Sequence, residues 1–165
     1  MKRQFVLMDK SRIERALKRM SIQILEGLTS ESQLVIVGLN ERGYSTAKQL
    51  VSYLSESVDP NSIEFCKLDF NSTSGRTPLP NCTEKNVIIV DDVIFSGKTM
   101  FDAITAVSGT GDPSKVELLA LVDRGHRRYP VAASIYGIEV PTKFGEHIEV
   151  MLNAGRLEQV ILFKN

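Results

Sequence analysis

Two adjacent carboxylates, Asp91 and Asp92, close the apolar run Val87-Ile88-Ile89-Val90, and the small, hydroxyl-rich stretch Phe95-Ser96-Gly97-Lys98-Thr99 follows them. The apolar, mostly β-branched run predicts a buried parallel strand, and the spacing from Met100 to Val107 predicts a helix. Ligands of open α/β sheets sit outside the carboxyl ends of the strands. Backbone N–H groups at a helix start form a ready phosphate site. Carboxylates beside such a cradle suit a sugar phosphate, because they accept from ribose hydroxyls while the loop holds the phosphate. Three other readings use the same residues. Ser96-Gly97-Lys98-Thr99 looks like the end of a Walker A loop, although that motif needs glycine where Asp92 stands. An acidic pair at a strand end also suits a receiver-type Mg²⁺ pocket, which does not call for the loop. The plainest reading is a strand and a helix capped by Ser96 or Thr99.

The elements that position these residues are readable from periodicity. Ile13, Ala16, Leu17, Met20, Ile24 and Leu28 predict an amphipathic helix over Ser11–Leu28, and Leu34-Val35-Ile36-Val37-Gly38 a central strand. A helix is expected over Ser45–Leu54, a strand over Ser62–Leu68, a mobile polar loop over Asp69–Glu84, and a strand over Lys115–Val122 ending at Asp123. Val131–Val140 and His147–Phe163 predict short strands, with Asn153-Ala154-Gly155 as a hairpin turn. The expected fold class is α/β: a doubly wound parallel sheet with a small additional β region, in one domain over residues 1–165.

Composition narrows the function classes. Apolar residues make up 42% and charged residues 24%, as in ordinary globular proteins. Twenty Lys and Arg balance twenty Asp and Glu, so no overall basic field points to nucleic acid. The two cysteines, Cys66 and Cys82, lack metal-site spacing and are too few for a disulfide framework. No apolar stretch approaches a membrane span and no signal-peptide core is visible, so a cytoplasmic protein is expected.

The strand, acidic pair, loop and helix together resemble the 5-phosphoribosyl 1-pyrophosphate (PRPP) signature of type I phosphoribosyltransferases. Leu121-Val122-Asp123-Arg124-Gly125-His126-Arg127, Pro130, Gly137 and Val140-Pro141-Thr142 resemble a stretch of the bacterial pyrimidine-operon attenuation proteins. So do Met8-Asp9 and Ile13-Glu14-Arg15-Ala16-Leu17-Lys18-Arg19-Met20, and the resemblance covers nearly the whole chain. Members of that family regulate pyrimidine synthesis by binding messenger RNA and have uracil phosphoribosyltransferase activity. The resemblance implies that Asp91 and Asp92 hold the ribose hydroxyls. Phe95, Ser96, Gly97, Lys98 and Thr99 would wrap the 5′-phosphate, with hydroxyl donors from Ser96 and Thr99. Leu39, Asn40, Glu41, Arg42 and Gly43 would form the pyrophosphate loop, with Arg42 stabilising the leaving group. Asp123, Arg124, Gly125, His126 and Arg127 would lie at the base end. Mg²⁺ would come mainly with PRPP, and a homodimer or higher homo-oligomer is implied.

The chain departs from the family pattern in three places. Lys67-Leu68-Asp69-Phe70-Asn71 stands where the family has Leu-Tyr-Arg-Asp-Asp, leaving Lys67 or Arg76 as substitutes for the arginine. Asn40-Glu41 replaces Lys-Thr, which puts an anion beside a highly charged leaving group. Ile22, Ala132 and Ile138 replace RNA-facing His, Arg and Lys, leaving Lys18, Arg19, Arg127 and Arg128 as a possible RNA face. The expectation is therefore a uracil phosphoribosyltransferase of pyrimidine salvage, slowed by its loops. The alternatives are an RNA-binding regulator that senses UMP or PRPP with little catalysis, and a phosphoribosyltransferase for another base.

Overall fold

Alternate residues of the central strands face opposite ways, and that alternation builds two cores. Leu34 and Ile36, Ile88 and Val90, and Leu119 and Leu121 join one buried cluster, while Val35 and Val37, Val87 and Ile89, and Leu118 and Ala120 join the other. A computed structural model describes residues 2–75 and 78–165. In chain order its elements are β1 (Arg3–Met8), α1 (Lys10–Glu26), β2 (Leu34–Leu39), α2 (Asn40–Leu54), β3 (Ile63–Leu68), β4 (Asn86–Ile94), α3 (Lys98–Ser108), β5 (Lys115–Asp123), β6 (Ile135–Glu139), β7 (Glu146–Asn153) and β8 (Arg156–Lys164). A wholly parallel sheet runs in the order β3-β2-β4-β5-β6, and a three-stranded antiparallel sheet in the order β1-β8-β7. The expected α/β class with a parallel core and a small β region is the fold found.

Helices α1 and α2 and the three-stranded sheet pack on one face of the parallel sheet, and α3 packs on the other. The Asp9 carboxylate caps α1 by accepting from the Arg12 N–H at 2.8 Å, and the Gly27 N–H closes its far end on the Ile24 carbonyl. Ile13, Leu17, Met20 and Ile24 are fully buried along its inner face, each contributing roughly 1.5–3 kcal/mol of burial. Ala154 and Gly155, both at positive φ, turn β7 into β8, so the expected hairpin forms at its expected place.

Several elements differ from the sequence reading, among them the strand expected over Val131–Val140, of which only Ile135–Glu139 pairs with β5. Helix α2 starts at Asn40 rather than Ser45, because its first turn buries no large apolar side chain and so has no periodicity to read. Helix α3 starts at Lys98, capped by Gly97 at φ +84° and not by a Ser96 or Thr99 side chain. Strand β1 was not expected, since only Met8 of its six residues is buried and it forms by pairing with distant β8. The predicted mobile loop contains no helix or strand among its described residues, yet Cys82 within it is fully buried and Glu84 donates its N–H to the Asp112 carbonyl.

Candidate active site

The carboxyl ends of β2 and β4 meet the first turns of α2 and α3, and the signature residues converge there. Strand β4 runs past Asp91 and Asp92 to Ile94, so both acids lie within the strand, two residues short of its end. Asp91 is 8% exposed, and its Oδ1 accepts from the Asp92 N–H at 2.9 Å. Burial first, and the neighbouring Asp92 carboxylate second, push the Asp91 carboxyl well above the usual carboxylate range. Beyond the acids, residues 93–100 and Asp91 line a cavity of about 230 Å³. The first helical bond of α3 runs from the Phe101 N–H to the Gly97 carbonyl, so the N–H groups of Thr99 and Met100 have no intrahelical acceptor. The Ser96 hydroxyl accepts from the Lys98 N–H. This is an open anion cradle beside two carboxylates.

Gly43 sets how close the second loop comes. A Cβ there would stand 2.8 Å from the Val90 carbonyl oxygen and 3.2 Å from the Asp91 Cα, so only glycine lets α2 start against the acidic strand. Leu39 is buried at the end of β2. Asn40 sits at φ +54°, a conformation asparagine tolerates better than most residues, and its side chain accepts from the Phe70 N–H at 2.9 Å. Glu41 pairs with Lys67 at 2.7 Å. Arg42 donates from Nε to the Val150 carbonyl on β7, leaving its Nη groups outside that bond.

The run after β5 lines the same edge but is largely committed to itself. Asp123 pairs with Arg127 at 2.7 Å and accepts from the Gly125 N–H. Arg127 also donates to the carbonyls of Phe95 and Val131. The Ser96 carbonyl accepts from the N–H groups of Arg128 and Tyr129, which holds the cradle from behind. The Arg124 guanidinium lies 4.2 Å from the Phe95 ring centroid and bonds Thr142 and the Glu146 carbonyl; burial lowers its pKa. His126 bonds the Thr142 carbonyl and meets Phe95 edge-on.

Two expectations change with this geometry. The Lys98 ammonium turns back to Asp102 at 2.9 Å, so the cradle presents Lys98 through its backbone. Arg127 belongs to the site's scaffold and not to a free basic face. Lys18 lies over Tyr53, Arg19 bonds the carbonyls of Tyr136 and Gly137, and Arg128 is exposed beside the cradle. Arg76 lies outside the described residues. Burial pushes the Cys66 thiol up to about 11, which leaves it a poor nucleophile. The role of Lys67 as partner of Glu41 is not visible in the sequence, where the two are far apart. Arg12 and Arg15, which with Arg19 line a second hollow of about 300 Å³, went unread in the sequence, although their three- and four-residue spacing puts them on one helix face.

Comparison with known proteins places the chain in a family. The phosphoribosyl transferase domain family matches residues 7–154. A bifunctional protein PyrR from Geobacter sulfurreducens is 36% identical across 96% of this chain and 97% of its own length, and one from Listeria monocytogenes is 34% identical across the whole of both. Among solved structures, a hypoxanthine-guanine phosphoribosyltransferase from Bacillus anthracis superposes with a TM-score of 0.73 at 18% identity, covering 97% of this chain and 99% of that one. That likeness speaks to the fold. No helix among the described residues is long and apolar enough to cross a membrane. With its acidic strand end, its two glycine-dependent loops and its full-length relatives, the chain belongs to the phosphoribosyl transferase domain family and, within it, to the PyrR proteins.

Proposed function

We propose that this chain, acting as a single domain in the cytoplasm and as a homodimer or larger homo-oligomer, transfers the phosphoribosyl group of PRPP to uracil, giving UMP and pyrophosphate. One observation supports the reading most: Gly43 packs the first turn of α2 against Val90 and Asp91, so the starts of α2 and α3 both border the acidic pair. Both ends of PRPP would then be gripped while its ribose hydroxyls donate to Asp91 and Asp92, so the sugar is held for attack.

In the reaction a uracil ring nitrogen forms a bond to the ribose C1 carbon as the bond from C1 to the pyrophosphate oxygen breaks; the nitrogen's proton leaves to solvent. The N–H groups at the start of α2 and the Nη groups of Arg42 would stabilise charge on the leaving oxygen. The cradle at the start of α3 would hold the 5′-phosphate throughout. Asp91 lines the cavity and Asp92 is half-buried beside it, while among the described residues no three His, Cys, Asp or Glu side chains converge. Two carboxylates plus substrate oxygens suit Mg²⁺, which would arrive with PRPP and supply Lewis-acid stabilisation of the leaving pyrophosphate.

The test is turnover of PRPP and Mg²⁺ with uracil, hypoxanthine, guanine, adenine and orotate offered separately. UMP from uracil alone is expected. A product from another base would move the specificity, and no product from any base would remove the enzymatic reading. A second reading, RNA-binding regulation, is favoured by the hollow beside α1. Arg12, Arg15 and Arg19 line it, and none of the three pairs with a carboxylate among the described residues. Ile138, which replaces a cation of the family pattern, lies in the same hollow, and Ile22 is 56% exposed on α1. RNA binding is therefore expected to be weaker than the family pattern implies.

A further inference from the structure

We propose that Lys67 is a positioning residue for the pyrophosphate turn: by holding Glu41 in an ion pair from the neighbouring strand, it lets a helix start that carries an anion accept an anionic leaving group. The inference deepens the PRPP-binding reading and rests on it. Glu41 is the acidic residue of the first turn of α2, where the family pattern has a neutral one, and Asn40 before it replaces a cation. Left alone, that carboxylate would repel pyrophosphate entering the same turn.

Lys67 is built to meet it. It pairs in register with Gly38 on the adjacent strand, one residue before the end of β2, so its side chain reaches the turn from the side. Its Nζ is 2.7 Å from Glu41 and 3.6 Å from Asp69. The ammonium also lies 5.5 Å from the centroid of the Tyr44 ring, which stacks on Phe65 at 4.9 Å. The lysine therefore spans β3 and the first turns of α2 and touches both through fixed partners. The bond to Glu41 holds the Lys67 proton more firmly than usual, so the ammonium stays charged. The cation missing from the turn has in effect been supplied by the next strand.

The experiment measures KM and kcat for PRPP, with PRPP and UMP dissociation constants by calorimetry, in the wild type, Lys67→Met, Lys67→Arg, Glu41→Gln and the Lys67→Met/Glu41→Gln double variant. Lys67→Met should raise KM and the dissociation constant for PRPP by roughly three- to tenfold, with kcat changed less, since an unpaired like charge weakens binding of the polyanion. UMP lacks the pyrophosphate, so its affinity should hold. Lys67→Arg should behave as wild type, and adding Glu41→Gln to Lys67→Met should restore KM. The Lys67→Met penalty should shrink as salt is added. Equal losses for PRPP and UMP would mean that Lys67 acts only on the fold, and a double variant no better than Lys67→Met would mean that it does not act through Glu41; either would overturn the proposal. A wild type that binds PRPP without turnover would remove the enzymatic reading and leave this one measurable in the dissociation constants. A wild type that does not bind PRPP would overturn both.

Discussion

At the scale of single residues, Asp91 is held against its own stability. Its folded pKa is raised by burial and by Asp92, so between the unfolded carboxylate pKa and the raised value the native state binds more protons than the unfolded state. Stability therefore falls as pH rises through that window, and the penalty is constant above it. Asp91→Asn removes the penalty: the variant should melt higher than wild type near neutral pH, with the difference closing in acid, while PRPP turnover collapses. A variant that melts lower at neutral pH would show that the carboxylate stabilises the fold. The same linkage makes PRPP affinity rise with pH through the Asp91 titration, because ribose hydroxyls need the ionised acceptor. The paired variant Asp91→Asn with Asp92→Asn should abolish PRPP binding and leave the circular dichroism unchanged. Asp91 and Asp92 were legible in the sequence because two charges at the end of an apolar strand have few structural explanations. Lys67 was legible only as a spare cation, because its pairing with Glu41 depends on strand pairing that brings the two together.

At the scale of elements, two helix starts border the acidic pair, and the proposed reading gives each a different end of PRPP. Gly97 and Gly43 both begin helices, but for different reasons. Gly97 combines φ +84° with a Cβ position 2.4 Å from Val131 Cγ2, whereas Gly43 is needed for close approach to Val90 and Asp91. Gly97→Ala and Gly43→Ala should each cost roughly 1–3 kcal/mol in urea unfolding, from strain and overpacking. Their ligand effects should separate: Gly97→Ala weakens PRPP and UMP alike, since both carry the 5′-phosphate, whereas Gly43→Ala weakens PRPP more than UMP. Calorimetry of both ligands with both variants checks this, and identical ratios would mean that the two turns do not serve different ends. The parallel strands and the long helices were readable because each buries a periodic apolar face. The start of α2 was not, because a turn made of Asn40, Glu41, Arg42 and Gly43 is placed by contacts with β3, β4 and β7. Strand β1 was hidden for a similar reason: its backbone partner is β8, at the other end of the chain.

Over the whole molecule, balanced charge conceals an uneven distribution. Asp91, Asp92 and Glu41 sit at the carboxyl edge of the parallel sheet, while Arg12, Arg15 and Arg19 line a hollow against β6, with the Gly137 carbonyl accepting from Arg19. Candidate site and arginine hollow are thus separate features, and a neutral sum said nothing about either. Arg42 ties the first turn of α2 to the three-stranded sheet through Val150, so both sheets border the candidate site. If the hollow binds RNA, phosphate contacts dominate, and affinity must fall linearly in log–log form with salt, by about 0.7 per contact for a single strand. Replacing Arg12 and Arg15 with Gln removes two candidate contacts without cutting the Arg19 bonds to β6. The slope should then flatten by about 1.4, at any RNA sequence, since phosphate contacts carry no base information. Filter binding of a single-stranded RNA and a scrambled control at several salt concentrations measures it. An unchanged slope would place the RNA elsewhere. Salt-independent, negligible binding in the wild type would leave the arginines as solvated surface and the chain an enzyme without the regulatory role.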